Sequence, residues 1–183
     1  LAYRISAGIA TGRDALFVMT EDEARAIEPD LLHPAVRGKD IGAFRIQDPG
    51  LRIIIPYEDS SSGLPQLVDL RRFPKTHEYL QRFRGELEAR HCVRRWGKHW
   101  FDLHDPWTVN LSRVPKVLVP DIAKSNRFAT DDGHYCPLHS AYYVTLRHRN
   151  PKFVAAILNS EPIEFLLRLH APVVKDGFSR YRR

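Results

Sequence analysis

Arginine and lysine are the residues whose placement in this chain most invites a chemical reading. Between positions 71 and 100 stand Arg71, Arg72, Lys75, Arg82, Arg84, Arg90, Arg94, Arg95 and Lys98, against only Glu78, Glu86 and Glu88. That local excess of +6 equals the formal charge of the whole 183-residue chain. Clustered cations are what a protein needs to neutralise phosphates, and they mean more than the same charge spread evenly. Where acids interleave with bases, a solvated helix surface explains the same residues, as in Arg82–Glu86 and Arg84–Glu88 at i,i+4 spacing. No acid lies beside Arg94-Arg95-Trp96-Gly97-Lys98. This stretch reads as phosphate-binding.

Other reactive residue types fail the spacing tests for catalysis. Methyl transfer to the amino group of a flipped adenine needs an Asn/Asp-Pro-Pro-aromatic tetrad and a Gly-rich turn for the methyl donor. Asp105-Pro106-Trp107 lacks the second proline and has no such turn before it, so it reads as a turn. No Gly-Lys-Ser/Thr loop is present to cradle a phosphate. A metal-dependent nuclease needs a Pro-Asp pair followed by an acid two residues before a lysine. Pro29-Asp30 and Pro120-Asp121 have none after them. His134, Cys136 and His139 with Cys92 match no closed zinc spacing, and His91 beside Cys92 is a poor base for a thiol nucleophile. The expectation is a domain with no catalytic centre, no metal and no cofactor of its own.

The elements that would position the basic residues are short. Leu16-Phe17-Val18, Arg52 to Tyr57, Val117 to Val119 and Tyr142 to Leu146 read as strands. Thr20 predicts an N-cap for a short acidic helix over Glu21 to Ile27. Leu80, Phe83 and Leu87 with Tyr79 form an apolar stripe that predicts one helix from Pro74 to Arg90. Residues 91–113 show no period and read as loop or irregular strand. Pro151 and Pro162 open two more helices, to Leu158 and to about Leu169. Ser60 to Gly63 and Asp131-Asp132-Gly133 are turns. Helices that do not alternate with strands predict an α+β fold with mixed, mainly antiparallel short strands.

One domain over 1–183 is expected, divisible into a β-rich lobe 1–70 and an α+β lobe 71–183. No run of about 18 apolar residues exists to span a membrane. The two cysteines are too few for a disulfide scaffold, so a cytoplasmic protein with free thiols is expected. The absence of an initiator Met reads as a fragment of a longer chain.

Eight short motifs, in order, resemble the TaqI-like C-terminal specificity domain. They are Gly8-Ile9-Ala10-Thr11-Gly12-Arg13-Asp14, then Leu32 to Ile41 with its Pro34-x-x-Arg37-Gly38-x-Asp40-Ile41 core, then Ile53 to Tyr57. Phe73-Pro74 with Tyr79-Leu80 opens a helix ending Leu87-Glu88-x-Arg90, followed by Trp100-Phe101-x-Leu103 and Pro115 to Ala123. Ile157-Leu158-Asn159-Ser160 and Gly177-Phe178-x-Arg180-Tyr181 complete the series. The resemblance implies a non-catalytic target-recognition domain of an N6-adenine DNA methyltransferase or a fused restriction–modification enzyme. Its implied partners are double-stranded DNA and an upstream methyltransferase domain of the same chain, where S-adenosylmethionine would bind.

Recognition requires phosphate contacts that fix register and base-edge contacts that carry sequence information. Arg71, Arg72, Arg94, Arg95 and Lys98 suit the first layer. Arg37, Lys39, Arg113, Lys116, Lys124, Asn126 and Arg127 fall on loops or strand ends, where Arg can read guanine and Asn adenine. Lys175, Arg180 and Arg182 suit either layer. For Arg37 and Lys116, a role in holding the fold stands beside the DNA reading. A general RNA or single-strand binding module shares the basic cluster and the stacking candidates Trp96, Trp100 and Trp107. A protein-interaction domain with merely solubilising charge is the other alternative.

Overall fold

The computed structural model describes residues 2–61, 64–105, 113–147, 149–175 and 177–180. The chain forms two compact units whose segments interleave. Leu1–Gly8, Val36–Pro49 and Arg113–Arg183 make the first; Ile9–Ala35 and Gly50–Ser112 make the second. This partition differs from a single cut between residues 70 and 71. Strands and helices are numbered below in chain order.

The first unit is built on a four-stranded antiparallel sheet. Its order is β1 (Ala2–Ala7), β11 (Ala141–Leu146), β7 (Lys116–Pro120) and β9 (Ala129–Asp131). Register pairs Ile5 with Val144, Tyr143 with Leu118, and Leu118 with Ala129. Side chains alternate across a strand, so Val117, Val119, Val144 and Leu146 share one face. That face packs on Val154, Ala155 and Leu158 of α6 (Pro151–Leu158) and Leu167 of α7 (Glu161–His170). α6 starts at its expected proline and α7 one residue before Pro162, with Asn150 capping α6 through Lys152 N–H at 2.9 Å. A two-residue strand, β10 (Cys136–Pro137), precedes β11. A second small sheet orders β12 (Val173–Lys175), β13 (Phe178–Arg180) and β8 (Ile122–Ala123).

In the second unit, β4 (Leu51–Ile54) lies between β2 (Val18–Thr20) and β3 (Leu32–Val36), both antiparallel to it. Ile53, Ile54 and Ile55 are fully buried, which explains their unbroken apolar run. β5 (Tyr57–Asp59) and β6 (Pro65–Leu67) form a hairpin. Thr20 caps α2 (Glu21–Ala24), as the sequence predicts, and does so in a reciprocal capping box with Glu23, although the helix is shorter. Leu16 and Phe17 are helical, not extended: α1 (Asp14–Phe17) is tied by Thr11 Oγ1 donating to Asp14 at 2.5 Å, and the strand starts only at Val18.

The expected helix 74–90 is two helices, α3 (Pro74–Arg82) and α4 (Arg84–Glu88), broken where Phe83 leaves helical geometry at φ −108°, ψ 15°. Leu80 and Leu87 are both fully buried across the break, so the stripe survives it. Residues read as loop instead form α5 (His91–Trp96), closed by Gly97 in the left-handed region at φ +65°. The α+β class with short antiparallel strands stands. Among the described residues, no helix is long and apolar enough to cross a membrane.

Candidate nucleic-acid interface

The basic cluster of 71–100 is largely consumed inside the second unit. Arg71 pairs with Asp69 at 2.7 Å, Arg72 with Glu58 at 3.0 Å and Arg84 with Glu88 at 2.7 Å. Arg82 pairs with Glu78 at 2.5 Å, not with Glu86, which instead meets Arg13 at 2.5 Å. Arg71 and Arg72 are therefore ion-paired within this unit, while their side chains stay exposed.

Lys98 is also engaged within this unit. Its ammonium donates to the carbonyls of Leu103 at 2.9 Å and His104 at 2.7 Å. Arg90, only 6% exposed, donates to the carbonyls of Leu87 at 3.1 Å, Thr11 at 2.7 Å and Trp100 at 2.7 Å. It clamps three segments, and burial holds its pKa below the ordinary arginine value, against the opposing pull of Cys92, Asp102 and Tyr57. Of the nine bases, Lys75, Arg94 and Arg95 stay exposed with no acid partner among the described residues. Arg94 and Arg95 precede Trp96, whose ring is 53% exposed and lies 4.6 Å from that of His104.

Counting charge by unit reverses the emphasis of the linear sequence. The first unit holds 16 Lys and Arg against eight Asp and Glu, a net +8. The second holds 12 against 14, a net −2. Most of its arginines are paired with acids; Arg94 and Arg95 have no acid partner among the described residues.

Within the first unit the candidates separate into buried and presented groups. Lys116 is fully buried and pairs with Asp131 at 2.6 Å, so it belongs to the core. Asp131 also accepts the N–H of His134 at 2.9 Å and of Tyr135 at 3.2 Å, and so fixes the 131–135 turn. Gly133 in that turn has φ +97° and sits so close to Arg113 that a Cβ would lie 2.2 Å from the Arg113 carbonyl oxygen. Asn126, 6% exposed, donates to Leu158 O at 2.6 Å and is not presented for base readout.

The 37–47 loop carries Arg37 and Lys39. Gly38 approaches the Ser140 carbonyl so closely that a Cβ would lie 2.2 Å from it, and its N–H donates to Ser140 Oγ at 3.0 Å. A few residues on, Phe44 N–H donates to Phe128 O at 3.0 Å. The loop thus touches both the end of β7 and the segment before β9. Pairing of β13 with β8 sets Arg180 opposite Ile122, next to Lys124, whose ammonium lies 4.8 Å from the Phe178 ring centre. Backbone contacts thus join the segment that carries Arg37 and Lys39 to Ser140 and to Phe128, which follows Arg127, while Arg113 lies at the other end of β7 from Pro120.

Lys39, Arg45 and Lys124 are exposed without an acid partner among the described residues. Arg127 has a buried Nε with no hydrogen-bond partner among the described residues, and Arg180 faces Asp121 at 3.9 Å. Lys175 lies in β12. Arg182 and Trp107 lie outside the described residues.

Sequence reasoning missed Phe44, Arg45 and Asn159. Asn159 acts as a peptide mimic: its Oδ1 accepts Phe128 N–H at 3.0 Å and its Nδ2 donates to Phe128 O at 2.8 Å. The Ile157 to Ser160 motif was the available signal.

Comparison with known proteins agrees with this architecture. The profile of the TaqI-like C-terminal specificity domain matches residues 33–183. The chain is 30% identical over 179 residues to the Type II methyltransferase M.PaeR7I of Pseudomonas aeruginosa, covering 98% of this chain and 30% of that protein. It is also 30% identical over 179 residues to the Type II methyltransferase M.BstVI of Geobacillus stearothermophilus, covering 98% and 31%. It therefore spans about a third of the length of these curated relatives. The structure of the Type IIL restriction–modification enzyme MmeI in complex with DNA superposes at TM-score 0.64 and 14% identity, over 100% of this chain and 24% of that one.

The matched profile thus defines the chain as a specificity-type domain. The chain belongs to the TaqI-like C-terminal specificity domain family.

Proposed function

We propose that this chain reads a short sequence in double-stranded DNA for an adenine-specific DNA methyltransferase, or for such an enzyme fused to an endonuclease, and performs no reaction itself. The observation that carries the reading is the charge split within a specificity domain: one unit at +8 with exposed, acid-free cations around the 37–47 loop, the other at −2. Lys39, Arg45 and Lys124 set register on the phosphates, and Arg37, Arg127 and Arg180 serve the base edges. Arg94 and Arg95 supply further phosphate contacts from the second unit. Arg113, Lys175 and Arg182 remain candidates for either layer. Adenine as the target base rests on the motif resemblance. Length supports a methyltransferase domain in the same polypeptide, since the Type II methyltransferase relatives extend far beyond the matched region. S-adenosylmethionine and the flipping of the target base belong to that domain.

The test is a titration of the chain with labelled duplex, single-stranded DNA and RNA across a series of salt concentrations. Duplex is expected to bind tightest, with log K falling linearly in log salt, and selection from a random duplex pool is expected to converge on one short motif. A second reading, a single-strand or RNA-binding module, draws on exposed Trp96 beside Arg94 and Arg95 as a stacking platform. Tighter binding to single strands or RNA would favour it and sink the first.

A further inference from the structure

Phe44 is the one non-glycine residue with positive φ among the described residues, at φ +66°. Left-handed backbone is uncommon for any side-chain-bearing residue and an outlier for a bulky aromatic. Glycine or asparagine would relieve the conformation at that position. Burial could have offset it, yet the ring is 60% exposed. A singly exposed hydrophobic residue needs no explanation, but one held in disfavoured backbone does. Among the described residues, neither local geometry nor burial accounts for phenylalanine at this position.

The support beneath the ring is rigid. Ile41 bridges Ile46, Gly42 N–H donates to Arg45 O at 2.9 Å, and Gln47 N–H donates to Asp40 O at 2.8 Å. Phe44 N–H donates to Phe128 O at 3.0 Å, the same carbonyl that Asn159 Nδ2 holds at 2.8 Å. Ala43, Arg45, Gln47 and Asp48 around the ring are also exposed. That setting is polar, with Arg45 and Asp48 both exposed, unlike the apolar side of α6 and α7 with Phe153, Phe165 and Leu169. A lone exposed aromatic on a braced loop that also carries the exposed, acid-free Lys39 and Arg45 suits a nucleic acid better than a protein surface. Bases offer a π-face of any sequence, and apolar side chains enter between base pairs when flanking cations hold the phosphates.

We propose that Phe44 is a wedge that enters the duplex at one step of the recognised site and stacks on an unstacked base, with Arg45 and Lys39 holding the adjacent phosphates. The proposal rests on the duplex-reading function above. A wedge mounted on a braced loop loses little conformational freedom on binding, which accounts for a strained backbone being kept.

The experiment uses the full chain and a duplex selected from a random pool, with 2-aminopurine replacing each adenine in turn. Wild type is expected to raise 2-aminopurine fluorescence at one step only. Phe44→Gly is expected to keep or raise the melting temperature, lose that signal and weaken duplex binding by about tenfold. Phe44→Trp is expected to retain both signal and binding. If Phe44→Gly binds the selected duplex and unstacks it as wild type does, the wedge is wrong while duplex reading stands. If wild type selects no duplex at all, the duplex-reading function fails and the wedge falls with it.

Discussion

The second unit pairs most of its arginines with acids, whereas the first presents several exposed cations without one among the described residues. In the second, Arg13, Arg71, Arg72, Arg82 and Arg84 each sit on a carboxylate, and Arg90 is buried on three carbonyls. In the first, Lys116 and Asp131 neutralise each other inside the core, and Lys39, Arg45 and Lys124 face solvent without an acid among the described residues. Linear charge density is thus a poor guide to available charge. What counts is how many acids the fold brings within reach of each base, and partners such as Arg72–Glu58 or Arg13–Glu86 are far apart in sequence.

The sharpest way to break this comparison is at the buried pair. Lys116→Met should leave the Asp131 carboxylate buried against backbone N–H groups alone and cost about 3–5 kcal/mol in denaturant unfolding. Lys116→Met with Asp131→Asn should recover much of that loss, because the amide oxygen still accepts from the 131–135 turn. A loss well under 1 kcal/mol for the single variant would remove Lys116 from the core account.

Next comes the difference in available charge. Lys39→Gln, Arg45→Gln and Lys124→Gln together should lower the salt slope of duplex binding by about 1 for each phosphate no longer neutralised. Arg71→Gln, Arg82→Gln and Arg84→Gln together remove the same formal charge and should leave slope and affinity close to wild type. Equal effects from the two triple variants would overturn the assignment of the binding surface to the first unit.

The smallest effect concerns how the second unit holds α3. Burial raises the pKa of Glu28, but hydrogen bonds from the Thr76 hydroxyl at 2.6 Å and from the N–H groups of Lys75 and Thr76, each at 2.7 Å, outweigh it and hold the carboxyl below its ordinary value. A depressed folded-state pKa gives stability that is present above the ordinary carboxylate value and is lost as pH falls through the lowered one. Glu28→Gln should therefore cost about 1 kcal/mol at neutral pH and flatten the acid limb of stability against pH. An unchanged acid limb would show that Glu28 does not anchor the helix.

Elements whose signals were local were legible in the sequence. Pro151 and Pro162 marked α6 and α7, Thr20 marked a cap, and Ile53 to Ile55 marked a buried strand. α5 escaped because its residues, His91 to Trp96, carry no apolar period; Gly97 after them was the usable sign. The break at Phe83 was foreshadowed only by Gly85.

The site was harder to read. Lys116 looks like a strand-end cation until Asp131 is brought across from β9, a pairing that no local pattern encodes. Asn126 is consumed by a carbonyl 32 residues away, and Phe44 declares itself only through a backbone angle. The family motifs located the scaffold, and the scaffold residues among them, Arg90 and Asn159, are spent on carbonyls and N–H groups.

The chain passes between its two units four times, at 8/9, 35/36, 49/50 and 112/113. Neither unit can be exchanged by recombination at a single point, and a nick at 35/36 or 49/50 leaves each unit with segments from both fragments. New specificities are expected to be inherited as whole cassettes of both units, or acquired by substitutions in loops such as 37–47.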